Sequence, residues 1–264
     1  MKERIDKYLI KNGYVNSRIK AQKLIDEKLV LCNDKIIEKY SYLIDENDKI
    51  VIKQNDLFKF VSRGGFKLEK ALNSFNYSLK NKVVMDIGSS TGGFTDCALQ
   101  NGAKKVVAID VGTDLMDKKL RESEQVELYE KTDIRNVENN MFLHIDTIIT
   151  DVSFISLKKV LDKIVSTKVQ VDFISLIKPQ FECGKEIAQK YKGVVLNKNV
   201  HEKIIADILL YFNNNGFAIK GLEVSPIKGG DGNIEYLCYS SNKDSQNINF
   251  DIHKLVEIAF SNAK

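Results

Sequence analysis

The stretch Val83-Val84-Met85-Asp86-Ile87-Gly88-Ser89-Ser90-Thr91-Gly92-Gly93-Phe94 constrains the fold of this chain more than any other. An apolar run ends in an acid, a glycine-rich turn follows, and Phe94 to Asn101 has helical character, so the unit is strand, loop, helix. Gly88, Gly92 and Gly93 permit backbone angles and close ligand approach that a Cβ would block. They stand at the carboxyl end of a strand, where open α/β sheets bind ligands. The spacing G-x-x-x-G-G is neither the dinucleotide fingerprint nor the phosphate loop, and no lysine follows the glycines. A pyrophosphate is therefore disfavoured, and S-adenosylmethionine, an adenosine ligand without phosphate, fits better.

Further strands follow at regular intervals. Lys105 to Asp110 is a second apolar strand ending in an acid, and Asp110 lies at the distance past the glycine turn where a carboxylate accepts from both hydroxyls of a ribose. Capping of the next turn is an equally ordinary use of such an Asp. Val126 to Tyr129 is a third strand, with Asp133 after it where an adenine amino group is read. The fourth spans residues 145–154 with Asp151 in its carboxyl-terminal part, and Asp172 to Ile177 is the fifth, running into Lys178-Pro179-Gln180-Phe181-Glu182. Helices are expected at 66–75, 157–165 and 201–215, and closing strands at 220–225 and 234–239. The expected fold class is α/β: a Rossmann-like, mostly parallel sheet of the S-adenosylmethionine-dependent methyltransferase type, helices on both faces and a hairpin at its end. In such a sheet Asp86, Asp110, Asp151 and Lys178 share one rim. Lys178 ends an apolar strand, which buries its stem and calls for a compensating carboxylate.

The first 60 residues read differently. Ile5, Leu9 and Ile10 mark a short helix, Ser17 caps a second carrying Ala21, Leu24 and Ile25, and two short strands flank a turn at Asn33-Asp34. This is a small α+β domain. Residues 1–30 carry eight Lys/Arg against four acids, out of a chain net charge of +4. Arg4, Lys7, Arg18, Lys20 and Lys23 lie opposite the apolar stripe, where a phosphate backbone is a natural counterpart. Charge alone fits a solvated helix face as well. The division is a first domain over residues 1–57, a linker over 58–63, a second domain over 64–245 and a helix or tail over 246–264. Four scattered cysteines show no C-x-x-C pairing, so no metal site or disulfide framework is signalled. The start lacks a signal-peptide core, and no window approaches 18 uncharged apolar residues, so a cytoplasmic monomer without membrane partners is expected.

The acceptor chemistry follows from what stands after strands four and five. Amine methylation usually carries Asp/Asn-Pro-Pro-Tyr/Phe, where this chain has Asp151-Val152-Ser153-Phe154; pyrimidine C5 methylation needs a cysteine beside the proline, and Pro179 is followed by Gln180. A lysine facing an aspartate suits a hydroxyl acceptor instead. On local grounds Lys67 is an ordinary surface lysine.

Two resemblances add to this reading. The pattern Arg4-Ile5-Asp6, Ser17-Arg18, Ala21, Leu24-Ile25 and the following strand and turn resembles the RNA-binding domain first seen in the small-subunit ribosomal protein S-four. Five motifs taken in order, Phe60 to Leu68, Asp86 to Asp96, Thr150 to Leu157, Ile177 to Glu182 and Gly232 to Leu237, resemble the TlyA (hemolysin A) family, whose members join that module to an FtsJ-like methyltransferase. By that resemblance the family's Lys-Asp-Lys-Glu tetrad falls on Lys67, Asp151, Lys178 and Glu235. Lys178 would act on a ribose 2'-hydroxyl, Asp151 would hold its ammonium, and Lys67 with Glu235 would complete the network. The implied partner is ribosomal RNA and the implied acceptor cytidine. The implied cofactor contacts are Asp86, Gly88, Ser89, Ser90, Thr91, Gly92, Gly93, Phe94, Asp110, Asp133 and Asp151. Asp133 stands where many relatives have Asn, and Gly230 where they often have Pro. A pore-forming hemolysin, the sense of the family's older name, is disfavoured by the missing signal peptide and membrane segment. An assembly factor with a vestigial enzyme domain is disfavoured by the intact tetrad. A pseudouridine synthase with the same N-terminal module is disfavoured by the glycine turn.

Overall fold

A computed structural model describes residues 2–54 and 56–262. The parts of the expected first domain and tail that fall on residues 1, 55, 263 and 264 lie outside the described residues. The chain forms two compact units, residues 1–59 and 60–264.

The first unit begins with β1 (Glu3–Arg4), α1 (Ile5–Lys11) and α2 (Arg18–Asp26), the last capped by the Ser17 hydroxyl, which accepts from the Lys20 N–H. Four short strands follow or pair back: β2 (Val30–Cys32), β3 (Lys35–Ile36), β4 (Leu43–Ile44) and β5 (Ile50–Ile52). β4 pairs with β1, and β2 lies between β3 and β5. Asn33 and Asp34 both take left-handed angles, the φ > 0 pair that a two-residue hairpin turn requires. Ile5, Leu9, Leu24, Ile25, Val30 and Ile44 form its core.

The second unit starts four residues earlier than the sequence indicates. Phe60 is buried beneath Gly65, where any Cβ would collide with its ring, and the Val61 N–H donates to Asp96 at 2.8 Å. The expected linker 58–63 is therefore packed from Phe60 onward, because an apolar ring and a satisfied backbone amide outweigh its loop-like composition. Gly64 and Gly65 likewise open a helix instead of marking a joint.

In chain order the elements are α3 (Gly64–Ser74), β6 (Val83–Ile87), α4 (Gly93–Gln100), β7 (Lys105–Ile109), α5 (Lys118–Arg121), β8 (Val126–Tyr129), β9 (Thr147–Thr150), α6 (Leu157–Thr167), β10 (Asp172–Ile177), α7 (Pro179–Glu182), α8 (Lys185–Lys190), α9 (Lys198–Asn214), β11 (Ala218–Val224), β12 (Tyr236–Ser241) and α10 (Ile252–Ser261). The sheet order is β11-β12-β10-β9-β6-β7-β8. β10, β9, β6, β7 and β8 are parallel, and β12 runs antiparallel to both neighbours. Every residue of β9 and β10 is buried, as expected of strands covered by helices on both faces. The apolar residues divide into a layer holding α6 and α9 and a layer holding α3 and α4.

The order turns at β6. The chain runs outward through β7 and β8, then returns to place β9 on the other side of β6. A doubly wound sheet opens a crevice at this switch point, because its flanking loops diverge to opposite faces. Ile87 is paired with Thr150, and Ile177 with Tyr236. Gly88, Asp151, Lys178 and Glu235 are the next residues beyond those pairs, so strand register alone gathers them at one rim.

Candidate active site

Two adjoining cavities occupy the crevice. The first, about 450 Å³, is walled by the Gly88–Thr91 turn, Arg63, Lys67, Asp151, Lys178, Gln180 and Glu235 among others. The second, about 400 Å³, contains Asp110, Leu115, Asp133 and Arg135. Gly88, Ser90, Asp151, Ser153 and Phe154 line both. Each volume is in the range of small-molecule sites.

Gly88 has φ +80°, and a Cβ there would lie 3.0 Å from the Val152 side chain, so the turn passes the β9 loop only as glycine. Ser90 is also left-handed, and its N–H donates to Asp110 at 2.7 Å, while the other Asp110 oxygen accepts from Gly112. Asp110 thus holds the turn from below and still faces the second cavity with unused lone pairs. Asp133 is in a chelating ion pair with Arg135, which holds its carboxyl below the usual range. Asp86 is placed differently from its sequence reading. It is fully buried, lines neither cavity, and accepts from the Thr95 hydroxyl at 2.6 Å. Burial, opposed by that hydrogen bond, pushes its carboxyl up to about 7. It braces the first turn of α4 beneath the glycines. Gly92 also lines neither cavity; its α-carbon faces Leu120 and Met116.

The first cavity carries a line of alternating charge. The Lys178 amino nitrogen lies 2.6 Å from Asp151 Oδ1, close enough for an ion pair although off the hydrogen-bond angle, and it donates to the Asp151 carbonyl and the Ser153 hydroxyl at 3.3 and 3.1 Å. Asp151 Oδ2 accepts from Lys67 at 3.1 Å, and Lys67 donates onward to Glu235 Oε2 at 2.7 Å. Lys67, Lys178 and Glu235 are only 8, 6 and 2% exposed. Burial works against the charge on Lys67, but Asp151 and Glu235 outweigh it and raise its pKa above the ordinary lysine value. Isolated charges at such depth cost several kcal/mol apiece, roughly, so alternation is what lets four of them coexist. Gly229 leaves the space Glu235 needs, since a Cβ would sit 2.6 Å from its Oε1.

The sequence brought Asp151 and Lys178 together from strand order and reached Lys67 and Glu235 through resemblance alone. The helical period did place Lys67 four residues before Ala71, on the buried face of α3, and that was the local signal for it. Ser153, Gln180 and Asn233 were missed. Gln180 approaches Glu235 at 3.5 Å, and the buried Asn233 side chain ties the Glu235 loop to Gly193 and Val195.

In the first unit, Arg4 grips the buried Asp6 with two hydrogen bonds at 3.0 and 2.9 Å, and Arg18 reaches the same carboxylate at 3.2 Å. These two expected phosphate contacts therefore share one acid, which orients them and halves their combined charge. Lys7 is exposed, Lys20 and Lys23 are half-buried, and the Lys20 amino group lies 5.7 Å from the centre of the Phe58 ring.

A switch-point crevice with a glycine turn and buried Lys-Asp-Lys-Glu line defines an FtsJ-like methyltransferase; the family model of that description matches residues 60–241, and one described as an S4 domain matches residues 3–50. YqxC of Bacillus subtilis is 44% identical over 90% of this chain and 85% of its own length. The 23S rRNA (cytidine-2'-O)-methyltransferase TlyA of Campylobacter jejuni is 35% identical, covering 84% of this chain and 93% of that protein. The solved structure of a hemolysin-named protein from Streptococcus thermophilus is 38% identical, with a TM-score of 0.75 over 98% of this chain and 96% of that one. The chain belongs to the TlyA family.

Proposed function

We infer that the protein transfers a methyl group from S-adenosylmethionine to the 2'-hydroxyl of a cytidine in ribosomal RNA. The observation that carries this reading is the buried line Lys178, Asp151, Lys67, Glu235 beside a glycine turn without phosphate-binding features. The crevice also fits the cofactor. Among the described residues, the buried Ser89 hydroxyl lacks a hydrogen-bond partner at the glycine turn and lines the first cavity where it adjoins the second, the place at which donor and acceptor would meet. Gly88, Ser89 and Ser90 with Asp110 and Asp133 would hold an adenosine and its methionine tail, leaving the lysine-lined cavity to the acceptor. The bound cofactor supplies a methyl on a positively charged sulfur.

The protein's own work is positioning and proton management. Lys67 stands between two carboxylates and keeps its proton; Lys178 has a share of one. We assign to Lys178 the contact with the acceptor oxygen. Its resting ammonium, paired with Asp151, first releases a proton to solvent, and the free amine then takes up the proton of the hydroxyl as the methyl transfers, which restores the ammonium beside Asp151. Such general-base assistance is worth roughly 10²- to 10⁴-fold, and orientation supplies the larger part of the acceleration. The first unit, matching the S4 description, is the RNA-binding module, with Lys7, Lys20 and Lys23 as phosphate contacts and Arg4 and Arg18 presented by Asp6. No helix among the described residues is long and apolar enough to cross a membrane. Mass-spectrometric mapping of ribose methylation on both ribosomal subunits, incubated with protein and labelled cofactor, tests the reading; label confined to bases, or absent, would overturn it.

A further inference from the structure

The two halves of the Asp151–Lys178 pair stand on separate loops. Asp151 opens the segment 151–156 between β9 and α6, and Lys178 immediately precedes α7. The 151–156 segment is held at several separate points, among them the Phe154 ring, whose centre lies 5.0 Å from that of Phe181 on α7. Phe154 is 91% exposed and left-handed, with φ +65°, a conformation that a bulky residue keeps only when its surroundings impose it. Val152 and Ile155 are partly buried, and Lys178 holds the start of the segment through the Asp151 carbonyl and Ser153. Its far end is held by Glu182. One Glu182 oxygen accepts from the Ser156 hydroxyl at 2.6 Å and the other from the Leu157 N–H at 2.7 Å.

Glu182 has no part in the chemistry above, yet its carboxyl is largely desolvated, which raises its pKa against the pull of those two hydrogen bonds. It ends the short α7 turn that Lys178 precedes, so one turn carries the two side chains that meet opposite ends of the 151–156 loop. The Ser156 hydroxyl meanwhile accepts from the Lys158 N–H. Glu182 and Ser156 together therefore satisfy the first free amides of α6, and a carboxylate is also favoured there by the helix dipole.

We propose that Glu182 is a positioning residue for methyl transfer: it clamps the Asp151 loop onto α7 and so fixes the separation of Asp151 from Lys178. This rests on the 2'-O-methyltransferase reading. In the full-length protein, Glu182→Ala is expected to lower kcat roughly 10- to 100-fold on ribosomal subunits, the scale set by a misplacement of about 1 Å, with cofactor Kd and RNA KM within about threefold of wild type. Glu182→Gln, whose amide meets both Leu157 and Ser156, restores most of that loss, and Ser156→Ala gives a smaller defect. A kcat for Glu182→Ala within about twofold of wild type, or a loss of cofactor affinity equal to the loss of kcat, or a Gln variant no better than Ala, would overturn the clamp. A crystal structure of Glu182→Ala decides it independently of turnover: an unchanged Asp151–Lys178 contact overturns it. Wild-type protein that leaves both subunits unmethylated on ribose would instead sink the functional reading.

Discussion

The Lys178 amino nitrogen lies 2.6 Å from a carboxylate oxygen of Asp151, and the other oxygen of that carboxylate is engaged by Lys67. One acid thus serves two buried cations, and the second cation has Glu235 as well. Lys67 therefore stands between two carboxylates, whereas Lys178 shares one of them.

Replacement of Lys178 by Ala is expected to lower kcat by at least about 10²-fold while cofactor affinity changes by less than about threefold. Isothermal titration with S-adenosylmethionine, run beside single-turnover methylation, measures both. Loss of cofactor binding would refute the role given to Lys178.

Lys67→Met removes the cation from Glu235, which is 2% exposed, and leaves a buried carboxylate unpaired. A destabilisation of about 3–5 kcal/mol is expected, a drop of roughly 10 °C in Tm by calorimetry. The double variant Lys67→Met with Glu235→Gln should recover part of it, because no bare charge is left inside.

Asp86 carries a pH dependence of stability. Its carboxyl is pushed up to about 7 by burial from an ordinary value of 3.8, so the folded state holds a proton that the unfolded chain has released. The stabilising contribution is full below pH 3.8 and is lost as pH rises to about 7, to a total of at most about 4 kcal/mol. Asp86→Asn imitates the protonated form and is expected to flatten this slope. Tm measured from pH 5 to 8 should diverge in favour of the variant toward the alkaline end.

Gly88→Ala meets both a left-handed φ and the Val152 side chain at 3.0 Å. The turn must shift, and cofactor affinity is expected to fall about tenfold or more, with unfolding less affected.

Joint replacement of Lys7, Lys20 and Lys23 by Ala in the full chain should weaken RNA binding and lower the slope of log K against log salt, by at most about 0.9 for each duplex phosphate that a lysine no longer neutralises. An unchanged slope would remove these lysines from the RNA interface. Arg4 and Arg18 are poorer probes, because their removal strands the buried Asp6.

Much of the architecture was legible in the chain. Apolar runs of strand length ending in Asp86, Asp110 and Lys178 set the parallel sheet and its rim, and Ser17 marked a helix start that the structure caps as expected. These signals are local, since periodicity, glycine and capping residues act within a few positions of themselves. The packed entry at Phe60 was not legible, because its burial depends on Gly65 and Asp96 meeting it from α3 and α4. Asp86 showed the opposite failure: its motif position was clear, but only the fold decides that its carboxyl points under the turn toward Thr95.

By itself, the sequence determined the class of fold, the glycine turn and the chemical types available for a hydroxyl acceptor. The tertiary structure decided which of them act together. Lys67 and Glu235 are 168 positions apart and hydrogen-bond at 2.7 Å, and Glu182 crosses 26 positions to hold Ser156. Contacts over such separations follow from strand order and helix packing, which no local pattern encodes. The charges of Lys67 and Glu235 are sustained only because the same packing that strips them of water brings them together.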